Sequence, residues 1–284
     1  MSRVEPILLS LLLSSATWLS ADGPAFETAA VKVETRLQGR IGVFASRGSQ
    51  TLSHRAKERF AYCSTFKWVL GAAILKQVDE GRLQLDRLVS YTDKNLLSHS
   101  PVTREHLPEG RMRVDDLCAA TIATSDNAAA NLLEALVGGP HGLQAFVRGL
   151  GDTTMRFDRM EPKLNTNLPG DARDTTSAEA MTRLLRKVFE IEALTKTSQA
   201  CLMAWMKGTT TGANRIPGAL PPGWTLAHKT GTSGNGAVHD VAVLFPPKGD
   251  PIYLCVFTDG RRKSDEAHEA AIAEVAKLVI KSLS

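Results

Sequence analysis

Phe60-Ala61-Tyr62-Cys63-Ser64-Thr65-Phe66-Lys67-Trp68-Val69-Leu70-Gly71-Ala72-Ala73-Ile74-Leu75 is the stretch on which the reading of the fold turns. Ser64 and Lys67 open an apolar run of good helix formers that ends at Asp79-Glu80-Gly81, where Gly81 suits a helix C-cap. Residues three apart on a helix share a face, so the spacing predicts the Lys67 amine beside the Ser64 hydroxyl. A serine at a helix start also lies among free backbone N–H groups and the positive end of the helix dipole, which suits a developing oxyanion. Taken alone, Ser-x-x-Lys is more often a solvated first helical turn than a site. Its weight comes from what lies farther along the chain.

Before this run, residues 25–37 have helical character, 40–45 read as a strand with Arg47-Gly48-Ser49 as a turn, and a second strand is expected ahead of Ala61. After it the pattern is mostly helical to about Lys207, with helices over 114–123, 128–136, 143–150 and 177–189 and a breaker at Gly138-Gly139-Pro140. Residues 225–230, 237–245 and 252–258 read as three successive strands, and 266–283 as a closing amphipathic helix. There is no internal repeat and no low-complexity tract. Strands at both ends with helices between predict an α/β (α+β) fold. Its antiparallel sheet is flanked by helices and built from both chain ends, with an all-helical domain inserted. The expected division is 22–62 with 210–284 for the α/β domain and 63–209 for the helical one, with a site in the cleft between them.

The 284 residues are 43% hydrophobic and 23% charged, ordinary globular composition with enough apolar content for a core. A net charge of +4, with basic residues scattered rather than striped, points to no nucleic-acid partner. Arg3, the apolar run Ile7-Leu8-Leu9-Ser10-Leu11-Leu12-Leu13 and the small Ala21 read as a secretory leader over residues 1–21. That run is too short to span a bilayer, so no stable membrane anchor is expected and the mature protein is read as periplasmic or secreted. In an oxidising compartment Cys63, Cys118, Cys201 and Cys255 could pair, but apolar surroundings favour buried free thiols. Neither the cysteines nor the histidines have metal-ligand spacing, so neither a metal nor another cofactor is expected.

Ser125-Asp126-Asn127 lies between two helical segments, and Lys229-Thr230-Gly231-Thr232 at the end of an expected strand, where Gly231 allows a ligand close to the backbone. Glu161-Pro162-Lys163-Leu164-Asn165 falls in a long aperiodic stretch, 159–174, whose neck an Arg159–Asp174 ion pair could close. A Glu161–Pro162 bond could be cis. With Ser64-x-x-Lys67, these motifs in this order resemble the class A β-lactamases among the penicillin-recognising serine enzymes, and the resemblance covers the whole mature chain.

The resemblance implies hydrolysis of the β-lactam ring of penicillins and cephalosporins through a serine acyl-enzyme, conferring antibiotic resistance, with small-molecule β-lactam substrates as partners; no amphipathic surplus demands a protein partner, so a monomer is expected. It implies Ser64 as nucleophile and Lys67 as base or proton relay. Glu161 and Asn165, on an omega loop spanning 159–174, would hold the hydrolytic water. Ser125 would pass a proton to the departing lactam nitrogen, and Asn127 would bond the substrate's side-chain amide. Backbone N–H groups of Ser64 and Thr232 would form the oxyanion hole, and Lys229, Thr230, Gly231 and Thr232 would line the substrate carboxylate site. The arginine many relatives carry on the following strand is replaced by Val238, which leaves Arg215 for that role. His99 falls where an aromatic residue guards the cleft mouth; an exposed loop histidine without a role is the equal alternative.

Two departures bear on substrate range. Carbapenem-hydrolysing relatives bridge the residue before the nucleophile to a second cysteine, but here the partner of Cys63 would be Ser233. Half of another family disulfide survives as Cys118, opposite Gly71. Ser233 is expected to admit bulky oxyimino cephalosporins. The rival readings are a D,D-peptidase and an acylation-only β-lactam sensor. Both share Ser64, Lys67, Ser125, Asn127 and Lys229 but lack the Glu161–Asn165 pair. A sensor would also need a membrane helix and a signalling region, for which 284 residues with one leader leave no room on this reading.

Overall fold

The computed structural model describes residues 19–20, 23–190, 193–261 and 263–284. The expected leader therefore lies outside the described residues, apart from Leu19–Ser20. The described helices are α1 (Gly23–Leu37), α2 (Lys67–Asp79), α3 (Pro101–Glu105), α4 (Val114–Ala123), α5 (Asn127–Leu136), α6 (Gly139–Gly149), α7 (Ala178–Glu190), α8 (Lys196–Lys207) and α9 (Asp265–Leu283). The strands are β1 (Leu19–Ser20), β2 (Arg40–Arg47), β3 (Gln50–His54), β4 (Phe60–Ala61), β5 (Leu88–Ser90), β6 (Arg111–Arg113), β7 (Thr175–Thr176), β8 (Thr225–Ser233), β9 (Ala237–Phe245) and β10 (Ile252–Asp259).

The main sheet runs β1-β3-β2-β10-β9-β8 and is antiparallel except for the parallel β1–β3 pair. Both its faces are covered, so its central strands are apolar on both sides and sort by alternation. Ile252, Leu254 and Val256 of β10, with Ile41, Val43 and Ala45 of β2, pack under α1 and α9. Tyr253, Cys255 and Phe257 point the other way and join Phe44, Val241 and Val243 in a core shared with the helical insertion. Each such fully buried large aliphatic side chain contributes about 2 kcal/mol.

Helix α2 is buried continuously from Lys67 to Leu75, which makes it the central rod of the insertion rather than a one-sided surface helix. Helix α7 lies against β2 and β10, and Thr182 Oγ1 donates to Phe44 O at 3.1 Å. Among the described residues, no helix is long and apolar enough to cross a membrane.

Five details differ from the expectations. The 63–209 insertion is not all-helical, because β5 and β6 pair with each other within it and β7 finds a strand partner in β4. Gly138-Gly139-Pro140 does separate α5 from α6, but α6 begins at Gly139 rather than at Leu143, because a proline in the first turn forfeits only an N–H that has no helical partner. The strand ahead of Ala61 is two pieces, β3 and β4, and β4 pairs with β7 instead of the main sheet. Strand β8 continues through Gly231 to Ser233, held by β9 in a register that sets Thr232 opposite Val238. Ser64 sits in a 3-10 turn, Cys63–Phe66, from which α2 springs at Lys67, so it precedes the α-helix rather than opening it.

Candidate active site

Two backbone anomalies frame the nucleophile candidate. Cys63 has φ 49° and Ser125 φ 62°, a left-handed region that non-glycine residues seldom occupy and that tends to persist where the surroundings enforce it. Around Cys63 the enforcement is local: Thr65 donates both its N–H and its Oγ1 to Tyr62 O, at 3.2 and 2.7 Å. Around Ser125 it comes from Asp126, whose carboxylate caps α5 through Ala129 N and accepts from Val102 N, Thr103 N and Thr103 Oγ1. Ser125 O also receives the Lys67 amine at 2.8 Å.

Ser64, Lys67, Ser125, Asn127, Glu161 and Lys229 meet in one buried cluster. The Ser64 hydroxyl donates to Glu161 Oε1 at 3.2 Å, and Lys67 Nζ lies 3.1 Å from the same oxygen. Lys67 also donates to Asn127 Oδ1 at 2.5 Å and to Ser125 Oγ at 3.3 Å. The expected side-by-side pairing of Ser64 with Lys67 is thus mediated by a shared carboxylate oxygen. A buried ion pair is favourable only when further hydrogen bonds compensate its lost hydration, and Lys67 has three. Burial pushes the Lys67 amine below its ordinary value, while the Glu161 charge beside it pulls the other way. Lys229 is pushed down much further, by burial and then by the charge of Lys67. Its Nζ donates to Ser125 Oγ at 3.1 Å and to Thr230 O at 2.8 Å, so the Ser125 hydroxyl stands between two amines.

The 159–174 segment is a closed loop. Arg159 Nε meets Asp174 Oδ2 at 2.5 Å, and Asp174 Oδ1 gathers the N–H groups of Asp158 and Arg159 and the Tyr62 hydroxyl. Glu161–Pro162 is cis. The glutamate is gripped by Asn131, whose Nδ2 donates to Glu161 O at 2.9 Å and whose Oδ1 accepts from Glu161 N at 3.1 Å. Asn165 Nδ2 donates to Glu161 Oε2 at 2.5 Å. The far arm of the loop is tied to the β8–β9 turn: Ser233 Oγ donates to Asn165 O at 2.7 Å and Asn235 Nδ2 to Thr166 O at 2.7 Å.

Gly231 lets β8 lie against the turn that carries Ser64. A Cβ there would come within 3.0 Å of Tyr62 O and 3.1 Å of Thr65 N. The strand that carries Thr232 is thereby packed against the turn that carries Ser64. Arg215 is buried and bonds Thr232 Oγ1 at 2.9 Å, Gly231 O at 3.1 Å, His239 O at 2.9 Å and Glu269 Oε1 at 3.1 Å. Thr230 Oγ1 shares a 2.6 Å hydrogen bond with Thr211 Oγ1. The His99 side chain is exposed, its Nε2 donating to Thr124 O at 2.9 Å, while its backbone carbonyl accepts from Asn127 N at 2.9 Å. All four cysteines are free, and burial raises the Cys63 thiol well above its usual range. Among the described residues, no group of three or more His, Cys, Asp or Glu side chains could hold a metal ion.

Asn131 was not singled out by its motif context, although it lies four residues after Asn127 and so on the same face of α5. Asp240, which accepts from Ile216 N and bonds His228 Nδ1, is likewise invisible in the sequence, because its partners are brought to it only by the sheet.

The sequence model of the "Beta-lactamase enzyme family" matches residues 26–283. A carbapenem-hydrolyzing beta-lactamase KPC of Klebsiella oxytoca is 44% identical over 89% of this chain and 87% of its own length. Beta-lactamase CTX-M-8 of Citrobacter amalonaticus is 39% identical over 95% and 93%. Among solved structures, an ancestral class A beta-lactamase superposes with a TM-score of 0.88 at 41% identity, covering 90% of this chain and 99% of that one. A beta-lactamase from Desulfarculus baarsii gives 0.89 at 44% identity over 93% and 98%. A match spanning almost the whole folded chain, around the cluster just described, places this protein in the beta-lactamase enzyme family, among the class A beta-lactamases.

Proposed function

We propose that this protein hydrolyses the β-lactam ring through a serine acyl-enzyme and so confers resistance to β-lactam antibiotics. The observation that carries the reading is Glu161: one carboxylate oxygen lies within hydrogen-bond reach of Ser64 Oγ and Lys67 Nζ, the other is held by Asn165. A carboxylate fixed beside the nucleophile is the part an acylation-only protein does not need.

Ser64 Oγ attacks the lactam carbonyl carbon, and its proton passes to the Lys67–Glu161 pair. The Oγ–C bond forms, the ring C–N bond breaks, and the nitrogen takes a proton from Ser125, which is resupplied by the amines on either side of it. The N–H groups of Ser64 and Thr232 receive the oxyanion, one such donor being worth ~3–4 kcal/mol in rate. Glu161 and Asn165 then hold a water against the ester. Glu161 takes its proton as the hydroxyl adds, the C–Oγ bond breaks, and the proton returns to Ser64. Asn127 recognises the substrate amide; Lys229, Thr230, Thr232 and Arg215 form the carboxylate end. Residues 159–174 act as the omega loop, residues 1–21 as an export leader, and the mature enzyme works as a monomer in the periplasm or outside the cell. Residues 22–62 with 210–284 and residues 63–209 form its two domains.

A chromogenic cephalosporin separates turnover from simple acylation. Colour developing far beyond one equivalent of enzyme supports hydrolysis, whereas a stoichiometric burst that stops refutes it.

A further inference from the structure

Helix α5 presents a stripe to the nucleophile and the 159–174 loop at positions 127, 131 and 134, the i, i+4, i+7 spacing of one helical face. Asn127 bonds Lys67 and Asn131 grips the backbone of Glu161, but the third member is a glutamate with nothing to hold. Glu134 is 1% exposed, and its Oε2 is buried without a hydrogen-bond partner. The charged and titratable groups facing it are Glu161 and Asp174 of the loop, Lys67 of α2 and the Tyr62 phenol. Two of these are carboxylates and one is a cation already committed to Asn127, Ser125 and Glu161.

A carboxylate in this position would be desolvated, unbonded and opposed by two like charges, whereas a carboxylic acid meets only the milder cost of a buried neutral group. We infer that Glu134 is a positioning residue for deacylation: in its acid form it lets the 159–174 loop seat Glu161 and Asn165, and on losing its proton it repels Glu161 and Asp174 and loosens that seat. The part that yields is the loop, since α5 is fixed by its cap and its buried neighbours while the loop is held to it largely through Asn131. Burial, then Glu161 and Asp174, push this carboxyl up to about 8, so the switch falls just above neutral pH. The inference rests on the reading that Glu161 and Asn165 drive deacylation.

The test follows acyl-enzyme decay by stopped-flow and mass spectrometry in the wild type, Glu134→Gln, Glu134→Leu and Glu161→Ala, between about pH 6 and about pH 9.5. Wild-type decay should slow at least about tenfold across a midpoint near 8, while both Glu134 variants hold their rate through that window. Acylation should show the same pH profile in all three. Parallel profiles for wild type and both Glu134 variants, or a uniform loss at every pH, would overturn the proposal. Undiminished decay in Glu161→Ala would instead bring down the reading beneath it. The two Glu134 variants, one polar and one apolar, guard against a failure to fold.

Discussion

Replacing Gly231 with alanine probes how closely β8 must approach the nucleophile turn. The added methyl would lie 3.0 Å from Tyr62 O and from Thr65 Cγ2, and 3.1 Å from Thr65 N. Side-chain carbon normally stays about 3.4–4 Å from such atoms, and two of the three here are backbone, so strand and turn must part by a few tenths of an ångström. Overpacking of this kind costs about 1–3 kcal/mol, which for a chain of this length lowers Tm on the order of 5 °C. The functional loss should be larger in proportion, because the strand carries Thr232 and the turn carries Ser64. Removing one oxyanion donor outright costs about 10²–10³-fold in rate, and a partial displacement is expected to cost roughly tenfold to a hundredfold. The assay is kcat/KM for a chromogenic cephalosporin, paired with thermal unfolding. Gly234→Ala serves as control, since its Cβ would meet nothing within 4 Å and its activity should be unchanged. A Gly231→Ala enzyme with wild-type kcat/KM would refute the claim that close packing at this glycine sets the two donors.

Asn131→Ala removes two hydrogen bonds to the Glu161 backbone, so stability should fall about 2–4 kcal/mol and deacylation should slow far more than acylation, as separated by pre-steady-state kinetics. Glu134→Leu should be more stable than the wild type, by a margin that depends on pH. A carboxyl raised from 4.5 to about 8 on folding holds its proton longer in the folded state, so wild-type stability is lost as pH rises through that window. The gain in unfolding free energy, read as a rise in Tm, should be small near pH 5 and greatest above pH 8, bounded on the order of 5 kcal/mol, and a gain independent of pH would contradict the assignment. Ser233→Gly breaks the tie from β8 to Asn165 O and should lower kcat/KM for oxyimino cephalosporins relative to benzylpenicillin; an unchanged ratio would remove Ser233 from substrate selection.

The sheet and most helices were legible because their signals are local. Three apolar runs separated by turns became β8, β9 and β10, and the closing amphipathic pattern became α9. Gly138-Gly139-Pro140 separates α5 from α6 as its composition suggests, but α6 starts within it, because proline breaks a helix interior yet suits its first turn and composition alone does not tell the two apart. At the site, residues within motifs were readable, since their spacing is itself the signal: Ser64 with Lys67, Ser125 with Asn127, Glu161 with Asn165. What spacing could not give was the wiring between segments. Ser64 and Glu161 are 97 residues apart, and only the fold shows that the hydroxyl bonds this carboxylate instead of the lysine one turn away. Asn131 and Glu134 were hidden for a related reason: in the sequence they are ordinary polar positions on an amphipathic helix, and their importance arises from the loop that closes over them.

The central claim is that Ser64 forms a covalent acyl-enzyme and that Glu161 is required to release it. Intact-protein mass spectrometry of Glu161→Ala after mixing with benzylpenicillin tests this most directly. A stable adduct of one substrate mass should accumulate on Glu161→Ala and be absent from Ser64→Ala. Steady hydrolysis by Glu161→Ala at the wild-type rate, with no adduct, would contradict the account.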